Sequence, residues 1–242
     1  MKTDHSIFTD KGSREINEDC AGAVCKDGRY CFILCDGLGG HGMGDKASRL
    51  VTDTLAECFK NSKSNAEFAG SALIKANDEL IKAQHSDMRL RQMRTTAVIL
   101  CIDGSKGTAL HIGDSRLYRF REGKVISRTR DHSLPQLLYT MGEISEDEIR
   151  SHPDRNKLLR ALGDEPDDLK TERTEFDVLP GDSFLLCSDG LWEPVTETEM
   201  ELLLAESGKP KKWVSRLAEL ARENSIGRKM DNYTAVAVTV RK

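Results

Sequence analysis

Four aspartates stand at the ends of short apolar runs, and their placement is the main chemical signal in this chain. Phe32-Ile33-Leu34-Cys35 stops on Asp36-Gly37, and Phe184-Leu185-Leu186-Cys187-Ser188 stops on Asp189-Gly190. Leu110-His111-Ile112-Gly113 ends on Asp114, and Asp231-Asn232 leads into the run from Thr234 to Val240. An apolar run closed by Asp-Gly reads as a buried strand with a carboxylate at the turn that follows. Taken singly, such a pair marks a turn and nothing more. If the strands lie side by side the carboxylates converge, and clustered carboxylates repel unless cations sit between them. Oxygen-only ligands favour Mg²⁺ or Mn²⁺ over zinc or copper. The residues therefore point to a metal-dependent hydrolytic site.

Strands are predicted at Tyr30 to Cys35, Thr96 to Ile102, Thr108 to Ile112, Leu117 to Phe120, Ser183 to Cys187 and Thr234 to Val240. A long amphipathic helix carries Ala47, Leu50, Val51, Thr54, Leu55, Cys58 and Phe59 on one face. A second opens with a capping box, Ser64 and Glu67, and bears Ala69, Ala72, Leu73, Ala76 and Leu80. The short connection makes these two an antiparallel pair. Later, Thr196 with Glu199 forms another capping box, stapled by Val195 and Met200, and Pro210 begins a helix with Trp213, Val214, Leu217, Ala218 and Ala221. Strands grouped as neighbours, with helices in pairs, favour an α+β fold with antiparallel sheets.

Composition narrows the class. The chain has 242 residues, 38% of them apolar, which is enough for one large domain. No run of 18 apolar residues and no N-terminal h-region occur, so no membrane partner and no secretory signal are expected. Seven irregularly spaced cysteines, several inside apolar runs, suit a reducing cytoplasm. A net charge of −4 argues against nucleic acid as a partner, and Arg89, Arg91 and Arg94 read as a solvated face.

Gly37, Gly39 and Gly42 match G-x-G-x-x-G after a strand. Asp36 beside the first glycine would set a carboxylate against a pyrophosphate, and no βαβ repeat follows, so a dinucleotide site is not expected. Six segments occurring in order carry a resemblance instead. They are Arg14-Glu15-Ile16-Asn17-Glu18-Asp19, Asp36-Gly37-Leu38-Gly39-Gly40-His41, Thr95-Thr96-Ala97-Val98, Gly113-Asp114-Ser115-Arg116, Ser188-Asp189-Gly190-Leu191-Trp192 and Asp231-Asn232-Tyr233-Thr234. From about residue 8 to 240 the chain resembles the metal-dependent protein phosphatases of the 2C type in their compact bacterial form.

That resemblance implies an αββα sandwich, two antiparallel sheets flanked by antiparallel helix pairs, formed by a single catalytic domain over 1–242 with a flap at about 131–163. It implies a centre for two Mn²⁺ or Mg²⁺ ions, bridged by Asp36. Asp189 and Asp231 would complete one site, Glu18 and the Gly37 carbonyl the other. A hydroxide shared by the ions would attack phosphorus directly, and Arg14 would bind the phosphate. Asp114 and Glu193, with Asp189 shared, would hold a third and weaker ion. The implied activity is that of a monomeric protein serine/threonine phosphatase acting on phosphorylated proteins and opposing a serine/threonine kinase. A non-catalytic phosphoprotein-binding regulator and a phosphatase of small esters are the alternatives.

Other phosphatase chemistries lack their residues: no cysteine has arginine at the C-x5-R spacing, and neither D-x-D-x-[TV] nor G-N-H-E occurs. Three positions depart from the family pattern. Leu38 stands where many members have a histidine proposed as general acid, leaving His41 as a candidate proton donor. Glu193 replaces a frequent aspartate, and Arg94 stands where glycine is expected. Within the flap, Leu134, Leu137, Leu138 and Met141 suggest an amphipathic helix closed by Gly142, with a second capping box and helix starting at Ser145 and Glu148.

Overall fold

Phe32 and Leu34 face one way from their strand and Ile33 and Cys35 the other, and all four are fully buried. A strand apolar on both faces needs a layer on each side, and that requirement generates the architecture. The computed structural model describes residues 1–39, 43–165 and 169–241. Strands β1 (Thr3–Asp10), β2 (Asp19–Lys26) and β3 (Arg29–Leu38) precede helices α1 (Gly44–Asn61) and α2 (Asn65–Ser86). Then come β4 (Arg94–Thr95), β5 (Ala97–Asp103), β6 (Lys106–Ile112), β7 (Arg116–Arg121), β8 (Lys124–Arg128) and the flap helix α3 (Leu134–Met141). After the flap follow β9 (Glu172–Asp177), β10 (Ser183–Cys187), α4 (Asp189–Trp192), α5 (Glu197–Ser207), α6 (Pro210–Asn224) and β11 (Tyr233–Val240).

The strands form two antiparallel sheets, β1-β11-β10-β7-β8 and β2-β3-β5-β6-β9, with β4 extending β3. Between them lie Phe32, Leu34, Val98, Leu100, Phe184, Leu186, Val236 and Val238. On the outer face of the β3 sheet, Ile33, Cys35, Ile99 and Cys101 pack against Val51, Leu55, Phe59 and Leu80 of α1 and α2. On the other outer face, Leu185, Cys187, Ala235 and Ala237 meet Met200, Trp213 and Leu217 of α5 and α6. The predicted αββα sandwich is the observed one.

The structure adds strands that the sequence hid. β1, β2, β8 and β9 are the edge strands of the two sheets, with half-exposed faces, and β9, Glu-Arg-Thr-Glu-Phe-Asp, is mostly charged. Such edges resist pairing with other chains but carry little apolar signal. The capping box of α5 is complete, with Val195 and Met200 buried together. At α2 only half of it forms: Ser64 accepts from the Glu67 N–H, while the Glu67 carboxylate takes the Lys63 N–H.

Two flap expectations are corrected. The Ser145–Glu148 segment makes a single 3-10 turn at Asp147–Ile149: the Glu148 carboxylate does accept the Ser145 N–H, but Pro153 follows too closely for a helix to continue. In α3 the buried positions are Pro135 and Gln136, while Leu137 and Met141 are 43% and 63% exposed. Gly142 closes α3 in the left-handed conformation as expected.

The flap is anchored at both ends. At its start, Asp131 takes Nε and Nη2 of Arg116 at 2.8 and 2.7 Å, with both side chains at most 2% exposed. The Arg116 guanidinium also lies 3.4 Å from the Trp192 ring centroid and donates to the Tyr118 hydroxyl. At its end, Leu162 bridges to Thr95, and Arg94 pairs with Asp164 at 2.7 Å, which gives the arginine its role. Asp131→Ala leaves a buried guanidinium without its main counter-charge, so urea unfolding should show a loss of about 3–5 kcal/mol. A loss below about 1 kcal/mol would mean that Arg116 is held by its aromatic contacts instead.

Candidate metal centre

Register brings the acids together. Asp36 of β3 pairs directly with Asp19 of β2, and Gly37 with Thr95 of β4. Thr96 braces the end of β3: its hydroxyl accepts the Asp36 N–H and its own N–H donates to the Asp36 carbonyl. A Cβ on Gly37 would run into the carbonyls of Gly44 and Glu18, so only glycine lets the start of α1 approach this closely. The Gly44 N–H donates to the Glu18 carboxylate at 3.2 Å, and the Ser48 hydroxyl to the Glu18 carbonyl at 2.6 Å.

From the opposite sheet, Asn232 organises the same corner. Its side-chain oxygen accepts the Glu18 N–H, and its amide donates to the carbonyls of Lys11 and Ile16. Asp189 opens α4 directly after β10. Asp114 follows Gly113, whose φ of +99° is a glycine conformation, and its carbonyl accepts the indole N–H of Trp192.

Arg14, Glu18, Asp36, Gly37, Asp114, Asp189 and Asp231 line one cavity of about 170 Å³, together with Leu38, Asn156 and Leu158. Seven predicted residues thus converge. Glu193 lies in the adjoining cavity, where its carboxylate receives Nε of the flap residue Arg155 at 2.9 Å. His41 lies outside the described residues. Arg14 stands at the mouth, 59% exposed in its side chain, and its Nε and Nη2 grip both oxygens of Asp231 at 2.9 and 2.6 Å. Its Nη1 makes no protein hydrogen bond among the described residues.

The electrostatics are those of acids forced together. Burial first, and then the charges of Asp19, Asp189, Asp114 and Asp231, hold the Asp36 carboxyl well above its ordinary range. Asp189 is raised by burial and by Asp114, Glu193 and Asp231. Burial pushes Asp114 up to about 7, with Asp131 adding to it, and Glu18 is raised mainly by burial. Arg14 is the one cation among the described lining residues. A hard-oxygen cavity with this excess of negative charge fits divalent cations.

Asp19 is the residue that sequence reasoning passed over. It is 8% exposed, one oxygen accepts the Ser188 hydroxyl at 2.7 Å, and the other has no hydrogen-bond partner among the described residues. Burial raises it to about 6. Its signal was available only to a reader who recognised β2 and so saw it opposite Asp36. His111 and His132 were also missed. Their rings stack at 4.7 Å, and His132 Nδ1 accepts the Gly113 N–H, fixing the turn that presents Asp114. Glu172 is close enough for the three to suggest a second metal site. Near-parallel rings direct their nitrogen lone pairs along separate planes, however, and His111 Nε2 already meets the Arg130 carbonyl at 2.8 Å. The group is a brace.

Comparison with known proteins agrees with this geometry. The profile of the family described as Protein phosphatase 2C matches residues 11–232. The serine/threonine phosphatase stp of Listeria monocytogenes is 38% identical, over 97% of this chain and 95% of that protein. The serine/threonine protein phosphatase PstP of Mycobacterium tuberculosis is 36% identical over 98% of this chain and 45% of its own length. Among solved structures, serine/threonine phosphatase Stp1 from Staphylococcus aureus superposes with a TM-score of 0.92 at 27% identity, covering 100% of this chain and 96% of that one. The catalytic domain of PstP in complex with two manganese ions gives 0.86 at 29% identity, covering 99% of each chain. A match spanning both the strands that carry the acids and the helices that cover them leaves one conclusion: this chain belongs to the protein phosphatase 2C family.

Proposed function

We propose that this chain is a metal-dependent protein serine/threonine phosphatase in which Glu18, Asp36, Asp189, Asp231 and the Gly37 carbonyl hold two divalent cations. The observation that carries the reading is the convergence of these four carboxylates on one cavity with Arg14 at its mouth. Asp36 would serve both ions. It faces Asp189 and Asp231, while its neighbour Gly37 donates its N–H to the Glu18 carbonyl. Two divalent cations at these residues would supply positive charge against the phosphate and a water acidified toward neutrality.

The chain's own residues do the rest. Arg14 has a free Nη1 to meet a phosphate oxygen, while its bonds to Asp231 hold the fork in place. Leu38 carries no proton, so the acid for the departing serine or threonine oxygen is a different group. Asp19 lies directly across the β2–β3 pairing from Asp36, and its charge is the first to raise Asp36 after burial. Asp114, Asp189 and Glu193 would hold a third ion more weakly, one Glu193 oxygen being already engaged by Arg155. The substrates are phosphorylated proteins, in opposition to a serine/threonine kinase. The unit is one catalytic domain over 1–242 acting as a monomer, with the 131–163 flap bordering the substrate path. Seven unpaired cysteines suit the cytoplasm, and no helix among the described residues is long and apolar enough to cross a membrane.

Purified protein should hydrolyse p-nitrophenyl phosphate and a phosphothreonine peptide with Mn²⁺, more slowly with Mg²⁺, and stop in EDTA. Full activity in EDTA would rule out the metal centre. Asp36→Asn should drop turnover below about a tenth of wild type. It should also raise the melting temperature in EDTA by roughly 2–8 °C, because it removes one of the repelling charges. A metal-free protein that melts lower after this change would show that Asp36 is a structural acid. Asp114→Ala should keep two ions by calorimetric Mn²⁺ titration while slowing phosphopeptide turnover. Unchanged turnover, with a lower melting point, would make Asp114 a turn residue.

A further inference from the structure

A second cavity of about 530 Å³ opens beside the metal pocket, between the flap and the turn that follows α6. The two cavities share Arg14, Asn156, Asp189 and Asp231, so a phosphate in the smaller one has the larger as its continuation. Apolar lining is sparse, with Pro194 and Met230 the main contributors, so a hydrophobic occupant would gain little there.

Charge gives the cavity its character. Five cations, Arg14, Arg150, Arg155, Arg228 and Lys229, face three acids, Asp189, Glu193 and Asp231, in a chain whose net charge is −4. Three of the cations are already engaged. Arg14 is bound to Asp231, Arg155 to Glu193, and Arg150 to Glu197 and the Val195 carbonyl. Arg228 and Lys229 are exposed and have no ion pair among the described residues. Their turn is nonetheless pinned: Arg228 N–H donates to Ser225, and the buried Met230 exchanges hydrogen bonds with Ser13 through both its N–H and its carbonyl.

We propose that this cleft is a subsite for a second anionic group of the substrate, an acidic side chain or another phosphate near the residue being dephosphorylated, with Arg228 and Lys229 as its recognition groups. The proposal rests on the phosphoprotein reading above. It makes the enzyme selective for phosphorylation sites in acidic or multiply phosphorylated stretches. A phosphate carries close to two negative charges, so it ranks above glutamate, and glutamate above glutamine.

The test uses Mn²⁺-loaded protein, p-nitrophenyl phosphate and three phosphothreonine peptides that differ only in their flanking residues: glutamine, glutamate or a second phosphothreonine. Wild type should show kcat/KM rising in that order, by about fivefold to tenfold between the first two, mostly through KM and shrinking with added salt. The Arg228→Gln/Lys229→Gln protein should lose this ranking yet hydrolyse p-nitrophenyl phosphate at the wild-type rate. Equal kcat/KM for all peptides in wild type would overturn the subsite, as would an equal loss on every peptide in the variant. A response to the second phosphate alone would restrict the subsite to phosphate and refute carboxylate recognition. Turnover of p-nitrophenyl phosphate with none of any peptide would instead refute the phosphoprotein reading on which the subsite depends.

Discussion

Mutual repulsion among carboxylates is the constraint to which the rest of this molecule answers. Asp19, Asp36, Asp114 and Asp189 are all raised by burial, and neighbouring acids add to it: Asp231 acts on Asp19, Asp36 and Asp189, and Asp19 acts on Asp36 and Asp189. Left to themselves such groups would swing apart into solvent. Each is instead fixed by backbone that cannot move without disrupting a sheet. Asp36 is held through Thr96, Asp19 through Ser188, and Asp189 by the start of α4. The apolar layers between and outside the sheets provide the stiffness for this arrangement. Stability is spent there to keep negative charge in place, a common pattern at catalytic sites.

What could be read from the sequence follows from which residues are buried on both sides. β3, β5, β10 and β11 run apolar without interruption, so their ends and the acids at those ends could be located. β2 reads Asp-Cys-Ala-Gly-Ala-Val-Cys-Lys, with small residues and half-exposed positions, and it gave no such signal. Missing it hid Asp19, whose importance comes only from lying opposite Asp36. The His111–His132 stack was hidden for a similar reason, since it joins β6 to the flap and depends on tertiary placement. The α3 stripe misled because helical periodicity reports amphipathicity without saying that anything covers the apolar face.

The departures from the family pattern have partners. Arg94 meets Asp164 at the flap's base, and Glu193, one methylene longer than aspartate, reaches Arg155 on the flap. Both ion pairs link the flap and its base to the sandwich. Exposed pairs of this kind contribute little to stability, so their value lies in registering the flap against the metal cavity.

The outermost pairing of the first sheet joins Thr3 to Val240, and the same ends of the chain meet again where Asn232 receives Glu18 and Asp231 receives Arg14. These contacts span more than 200 residues of sequence. Each closes a loop of that length, at a cost in chain entropy. Asp231 is the acid of the cavity that comes last in sequence, directly before β11, so the cluster of carboxylates is complete only once that strand has joined β1 and β10.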